Sequence, residues 1–104
     1  NASILYWAGK RVARKYDLTD FDDLADFFAM AEFGKLEKTK ERRSSTTFEL
    51  SGQTVEDRLD SDSKEFSLES GMIAEAVQKA TGKTTESEIN ILPKEKKVEI
   101  TARF

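Results

Sequence analysis

Apolar side chains recur at helical spacing from Ser3 to Tyr16, where Ile4, Leu5, Ala8, Val12 and Tyr16 share one side and Lys10, Arg11, Arg14 and Lys15 fall largely on the other. An amphipathic helix is expected there. Thr19 reads as the N-cap of a second helix, with Asp20, Asp22 and Asp23 at its positive dipole end. Its stripe is Phe21, Leu24, Phe28 and Ala31, flanked by Ala25 and Phe27, and it runs to about Glu32 with Gly34 as its stop. From Lys35 to Ser51 the period changes to two, as Thr46, Phe48 and Leu50 alternate with Thr47 and Glu49, and Arg43-Ser44-Ser45 supplies a turn. That is a β-hairpin. Gln53 to Leu59 fits either a helical turn or a strand continuing past a bulge at Gly52.

Asp60 to Lys64 reads as a surface loop, and Ser67 as the cap of a further helix that runs to Ala80 and is stopped by Gly82. The stripe of that helix is Met72, Ile73, Ala76, Val77 and Ala80. Thr85, Ser87, Ile89 and Ile91 then alternate with Glu86, Glu88 and Asn90. After a Pro93-Lys94-Glu95 turn, Val98, Ile100, Ala102 and Phe104 alternate with Glu99, Thr101 and Arg103, forming a second hairpin. The order places the chain in the α+β class, as an antiparallel four-stranded sheet covered on one face by helices. A single domain over residues 1–104 accommodates it. Asn1 and Ala2 precede the periodic helix without an initiator Met and read as a cloning remnant, with native sequence missing upstream.

Composition mainly removes chemistry. The chain has no Cys and no His, which excludes disulfides, thiolate nucleophiles, Cys-ligated zinc, a His-ligated haem and a Ser-His-Asp triad. No cofactor is expected. The longest apolar clusters, Phe27 to Ala31 and Met72 to Val77, fall far short of the ~20 residues that span a bilayer. No signal peptide is visible, and the lack of Cys fits a cytoplasmic address.

Two charge clusters invite a functional reading. Asp20, Asp22, Asp23 and Asp26 lack the alternation and Gly of a calcium loop and suit a helix N-terminus instead. Lys35, Lys38, Lys40, Arg42 and Arg43 outnumber Glu37 and Glu41. However, the whole chain carries net charge −3 and no aromatic residue interleaves the run, so it reads as a charged strand edge and not as a nucleic-acid surface. Glu69, Glu86 and Glu88 are the remaining acids beside apolar segments, and none has a nucleophile or partner base to make it catalytic. Gly9 and Ala13, four apart, would let another helix come close. Trp7 is the oddity: it falls on the helical wheel among Lys10, Arg11 and Arg14, opposite Leu5 and Val12. A Trp held toward water marks an interface or a pocket wall, or else is covered by Arg11 and Arg14 through cation–π contact.

Ile4-Leu5-Tyr6-Trp7-Ala8-Gly9-Lys10, Phe48-Glu49-Leu50, the run Phe66 to Glu75, Thr81-Gly82-Lys83 and Glu88 together resemble the YslB-like family of small bacterial proteins of unknown function. The second half is also similar to 4-vinyl reductase domains. The resemblance implies the superfamily fold shared with TRAPP subunits and haem nitric-oxide sensors, together with a tendency to pair and an apolar ligand cavity. Many 4-vinyl reductase domains place cysteines in the last hairpin, where this chain has Ile91 and Val98, so metal sensing does not carry over.

The first functional expectation is a non-enzymatic module that forms a homodimer or pairs with another protein through its first helix, with Tyr6 and Trp7 in the contact and Lys10, Arg11 and Arg14 as a cationic rim. The alternative is a carrier or sensor of an apolar small molecule, with Tyr6, Phe27, Phe28, Met30, Met72 and Ile73 lining its cavity.

Overall fold

The chain folds as α1 (Ala2–Lys15), α2 (Phe21–Met30), β1 (Lys35–Arg42), β2 (Ser45–Ser51), α3 (Gln53–Asp60), α4 (Ser67–Thr81), β3 (Glu86–Leu92) and β4 (Lys97–Arg103). This is the order in a computed structural model that describes residues 1–61 and 64–104. Both expected hairpins form, and they join antiparallel as β1-β2-β4-β3. Phe48 lies opposite Ile100, which lies opposite Ile89, so one face carries an apolar row across three strands. Leu50, Val98, Ile100 and Ala102 are fully buried there, in one cluster with Met72, Ile73 and Ala76 of α4. The opposite face is polar: Glu49 accepts from Lys97 at 2.8 Å, and the Thr47 and Thr101 hydroxyls bond at 3.2 Å. The basic strand β1 lies at one edge of the sheet, with β3 at the other.

Several local expectations are corrected. Gln53–Asp60 is a helix, because Val55 and Leu59, one turn apart, both bury. The cap of α2 is Asp20, which accepts the Asp23 amide at 2.8 Å, and not Thr19. That helix ends before Gly34: the Phe33 amide closes on the Phe28 carbonyl at 2.9 Å, with Glu32 left-handed at φ 61°. The first turn of α4 is held by Glu65, whose carboxylate accepts the Ser67 amide at 2.8 Å, so Ser67 is not the cap. The Ser67 hydroxyl and then its amide hold the Glu65 carboxyl below its usual range. Gly82 does stop α4, at φ 72°. Asn1 accepts the Ile4 amide at 3.2 Å and caps α1. The expected loop from Asp60 to Lys64 includes Asp62 and Ser63, which lie outside the described residues.

The largest departure is the face on which α1 packs. It lies on α4 through Gly9, Lys10 and Ala13, while Ile4 of the expected apolar stripe is 67% exposed. A Cβ on Gly9 would stand 2.0 Å from the Leu68 carbonyl oxygen, and one on Gly71 would stand 2.0 Å from the Tyr6 carbonyl oxygen. The two backbones therefore touch where both helices have glycine. With the sheet on one side and α1 on the other, α4 is buried nearly all round as far as Val77, and Ser70, Glu69 and Glu75 are buried along with Met72, Ile73, Ala76 and Val77, while Ala80 of the expected stripe is exposed. No described helix is long and apolar enough to cross a membrane.

Candidate functional site

The helix crossing also brings polar groups together. Glu75, 5% exposed, accepts from Arg14 Nε and Nη2, both at 3.3 Å. Glu69 accepts from Arg58 Nη1 at 2.5 Å and from Nη2 at 3.5 Å. Arg58 also donates to the Glu65 carbonyl, and its guanidinium lies 4.0 Å from the Phe66 ring centre. These pairs satisfy acids buried between helices, which gives Arg14 and Glu69 structural roles.

At the other end of α1, a cleft of about 260 Å³ opens between α1, α4 and β3, lined by Ser3, Tyr6 and Trp7, by Ser67 and Ser70, and by Ser87 and Ile89. Its polar groups are ordered. The Tyr6 hydroxyl accepts the Ser87 amide at 3.2 Å and donates to Glu86 Oε2 at 3.2 Å. Ser87 Oγ donates to the Ser70 carbonyl at 2.7 Å, so its single proton is used and the Ser70 hydroxyl donates to Ser87 Oγ at 2.5 Å. Burial pushes the Tyr6 phenol above its usual range, against the lowering effect of the Ser87 bonds. A raised folded value means that the neutral phenol stabilises the fold, and that this contribution is lost as pH rises past the ordinary tyrosine value of about 10. In a Tyr16→Phe variant, the one remaining phenol should ionise above that value in a spectrophotometric titration and return to it on unfolding.

Trp7 is 60% exposed, as its place on the helical wheel predicts. The cation beside it is Lys10, neither Arg11 nor Arg14. The Lys10 ammonium lies 5.2 Å from the Trp7 ring centre and 5.3 Å from that of Tyr6. Lys10, expected in solvent, is only 7% exposed. Arg14 turns to Glu75 instead, while Arg11 remains exposed.

The six residues proposed to line an apolar cavity do not come together around one space. Phe28, Met72 and Ile73 are fully buried in one core cluster, Phe27 packs at its edge with its ring tilted against Tyr16 at 5.2 Å, Met30 is 73% exposed, and Tyr6 lies in the cleft. Periodicity cannot separate a packed core from a lined cavity. It also missed the burial of Lys10, the place of Ser67, Ser70 and Ser87 in the cleft and the role of Gly71, because polar and small residues facing a second helix leave no apolar stripe. The visible signal was a Ser-Gly pair inside an otherwise regular helix.

A family model described as "Protein of unknown function (DUF2507)" matches residues 1–103. The chain belongs to this family. It is also 33% identical over 104 residues to a protein of Bacillus subtilis (strain 168) described as "Uncharacterized protein YslB", covering 99% of this chain and 70% of that protein. In this DUF2507 member, the string Ile4 to Lys10 that carried the resemblance is the segment that builds one wall of the cleft and half of the glycine crossing.

Proposed function

We propose that this domain is a non-enzymatic pairing module of the cytoplasm that associates with a second copy of itself through the outer layer formed by α1 and α2. The observation that carries the reading is large apolar side chains left in water on these helices: Ile4 and Trp7 on α1, and Met30 on α2. Tyr16, the residue that closes α1, meets Phe27 of α2 with ring centres 5.2 Å apart. Opposite charges accompany the apolar residues. Arg11 and Lys15 are exposed on α1, Asp22 and Asp26 on α2, and none of the four makes an ion pair among the described residues. Two-fold pairing sets the basic helix of each copy against the acidic helix of the other. We also place the fold beside 4-vinyl reductase domains, on the strength of the glycine-containing α4, its Gly82 stop and the closing hairpin.

Sedimentation velocity tests the pairing. Wild type should dimerise at micromolar concentration and dissociate as salt rises. Trp7→Ala should weaken association by about tenfold or more, as expected of a buried Trp anchor, without changing the far-UV circular dichroism. Equal association by both forms would remove Trp7 from the contact.

A further inference from the structure

We infer that α1 of one copy meets α2 of the other antiparallel and in a single register, with Trp7 against the partner's Met30, Arg11 against the partner's Asp26 and Lys15 against the partner's Asp22. This register presupposes the self-pairing proposed above and specifies its contact. Trp7, Arg11 and Lys15 recur every fourth residue, so they stand about one turn apart in one row, and all three are exposed. The row lies on the side of α1 away from its buried residues Gly9, Lys10 and Ala13. Asp22, Asp26 and Met30 have the same spacing on α2, are exposed as well, and lie opposite its buried Leu24 and Phe28. Each helix therefore presents two like charges and one large apolar side chain at equal intervals, with the signs opposite on the two helices.

The charges alone leave the direction open. Run parallel, Arg11 would meet the partner's Asp22 and Lys15 the partner's Asp26, and both pairs would form equally well. Trp7 would then project before the start of the partner's α2 at Phe21, and Met30 beyond the end of the partner's α1 at Lys15, leaving both in water. Run antiparallel, the two charge pairs form and the apolar side chains meet. Trp7 and Met30 are 60% and 73% exposed in the single copy, and Ile4, three residues before Trp7 and 67% exposed, flanks their contact. The thioether of a methionine adapts to such a surface and packs favourably on an aromatic ring. A two-fold axis repeats the contact with the helices exchanged, so each dimer holds it twice.

The chain has no cysteine, so an introduced disulfide reads the register without background. Arg11→Cys, Lys15→Cys, Asp22→Cys and Asp26→Cys, all at exposed sites, are mixed in pairs in a glutathione redox buffer, and cross-linked heterodimers are quantified by mass spectrometry. A disulfide needs Cα atoms within about 7 Å, and a shift of four residues moves a position by roughly 6 Å along a helix, so yields separate one register from the next. Arg11→Cys with Asp26→Cys, and Lys15→Cys with Asp22→Cys, should cross-link about tenfold or more above Arg11→Cys with Asp22→Cys and Lys15→Cys with Asp26→Cys. Equal or reversed yields would overturn the register and leave self-pairing standing. No cross-link in any of the mixtures would remove both. In sedimentation velocity, Met30→Ala should weaken association about as much as Trp7→Ala does, and a Met30→Ala variant that associates like wild type would overturn the Trp7–Met30 contact.

Discussion

Gly9→Ala and Gly71→Ala should each destabilise the domain by about 3 kcal/mol or more, at the upper end of what overpacked core sites show. The cause is steric and has no side-chain escape. Each new methyl group would meet the opposing helix's carbonyl oxygen at 2.0 Å, so α1 and α4 must move apart as rigid bodies. Separating them also loosens the Arg14–Glu75 pair and uncovers Ala13. With total stability on the order of 5 to 15 kcal/mol for domains of this size, either variant should lose at least a fifth of its folding free energy. Because both substitutions strain one crossing, the double variant should cost less than the sum of the singles. Equilibrium denaturation in urea checks this. A change under about 1 kcal/mol in either single variant would mean the helices are not in backbone contact.

The second large effect is expected at Arg58. Arg58→Met removes both bonds to Glu69, the bond to the Glu65 carbonyl and the guanidinium over Phe66, leaving a carboxylate that is 2% exposed without a cation. Breaking one side of a buried pair costs about 3 to 5 kcal/mol, far more than the near-zero worth of an exposed pair such as Lys38–Glu41. Arg58→Lys should recover only part of the loss, since one ammonium cannot reach Glu69 in two places and the Glu65 carbonyl as well. Arg58→Met combined with Glu69→Met should recover most of it, because the stranded charge is then gone. A single variant as stable as wild type, measured by thermal and urea unfolding, would show that Glu69 finds solvent or another donor.

The last strand was legible because it alternates cleanly. Val98, Ile100 and Ala102 bury and Glu99, Thr101 and Arg103 face outward in the period that the sequence shows. The sides on which α1 and α4 pack were not legible, for the opposite reason. Their contact is made by Gly9, Gly71, Lys10, Ala13 and Ser70, and a hydrophobic pattern cannot mark a contact built on glycine and satisfied polar groups. Of the candidate site, Trp7 was found because a lone Trp on a charged helix face contradicts the local pattern. The burial of Lys10 and the gathering of the cleft serines were missed because each is an ordinary surface residue until α4 is set beside α1.

Charge reversal tests self-pairing most directly. One chain carries Arg11→Glu and Lys15→Glu on α1, and the other carries Asp22→Lys and Asp26→Lys on α2; all four sites are exposed and lie outside the core cluster. Alone, each chain sets like charges against itself across the two-fold contact and should sediment as a monomer. Mixed one to one, the acidic chain meets the basic chain on both helices, and a heterodimer should form with an affinity near that of wild type and weaken with salt. Dimers of either variant alone, no complex in the mixture, or a wild type that stays monomeric throughout would contradict the account.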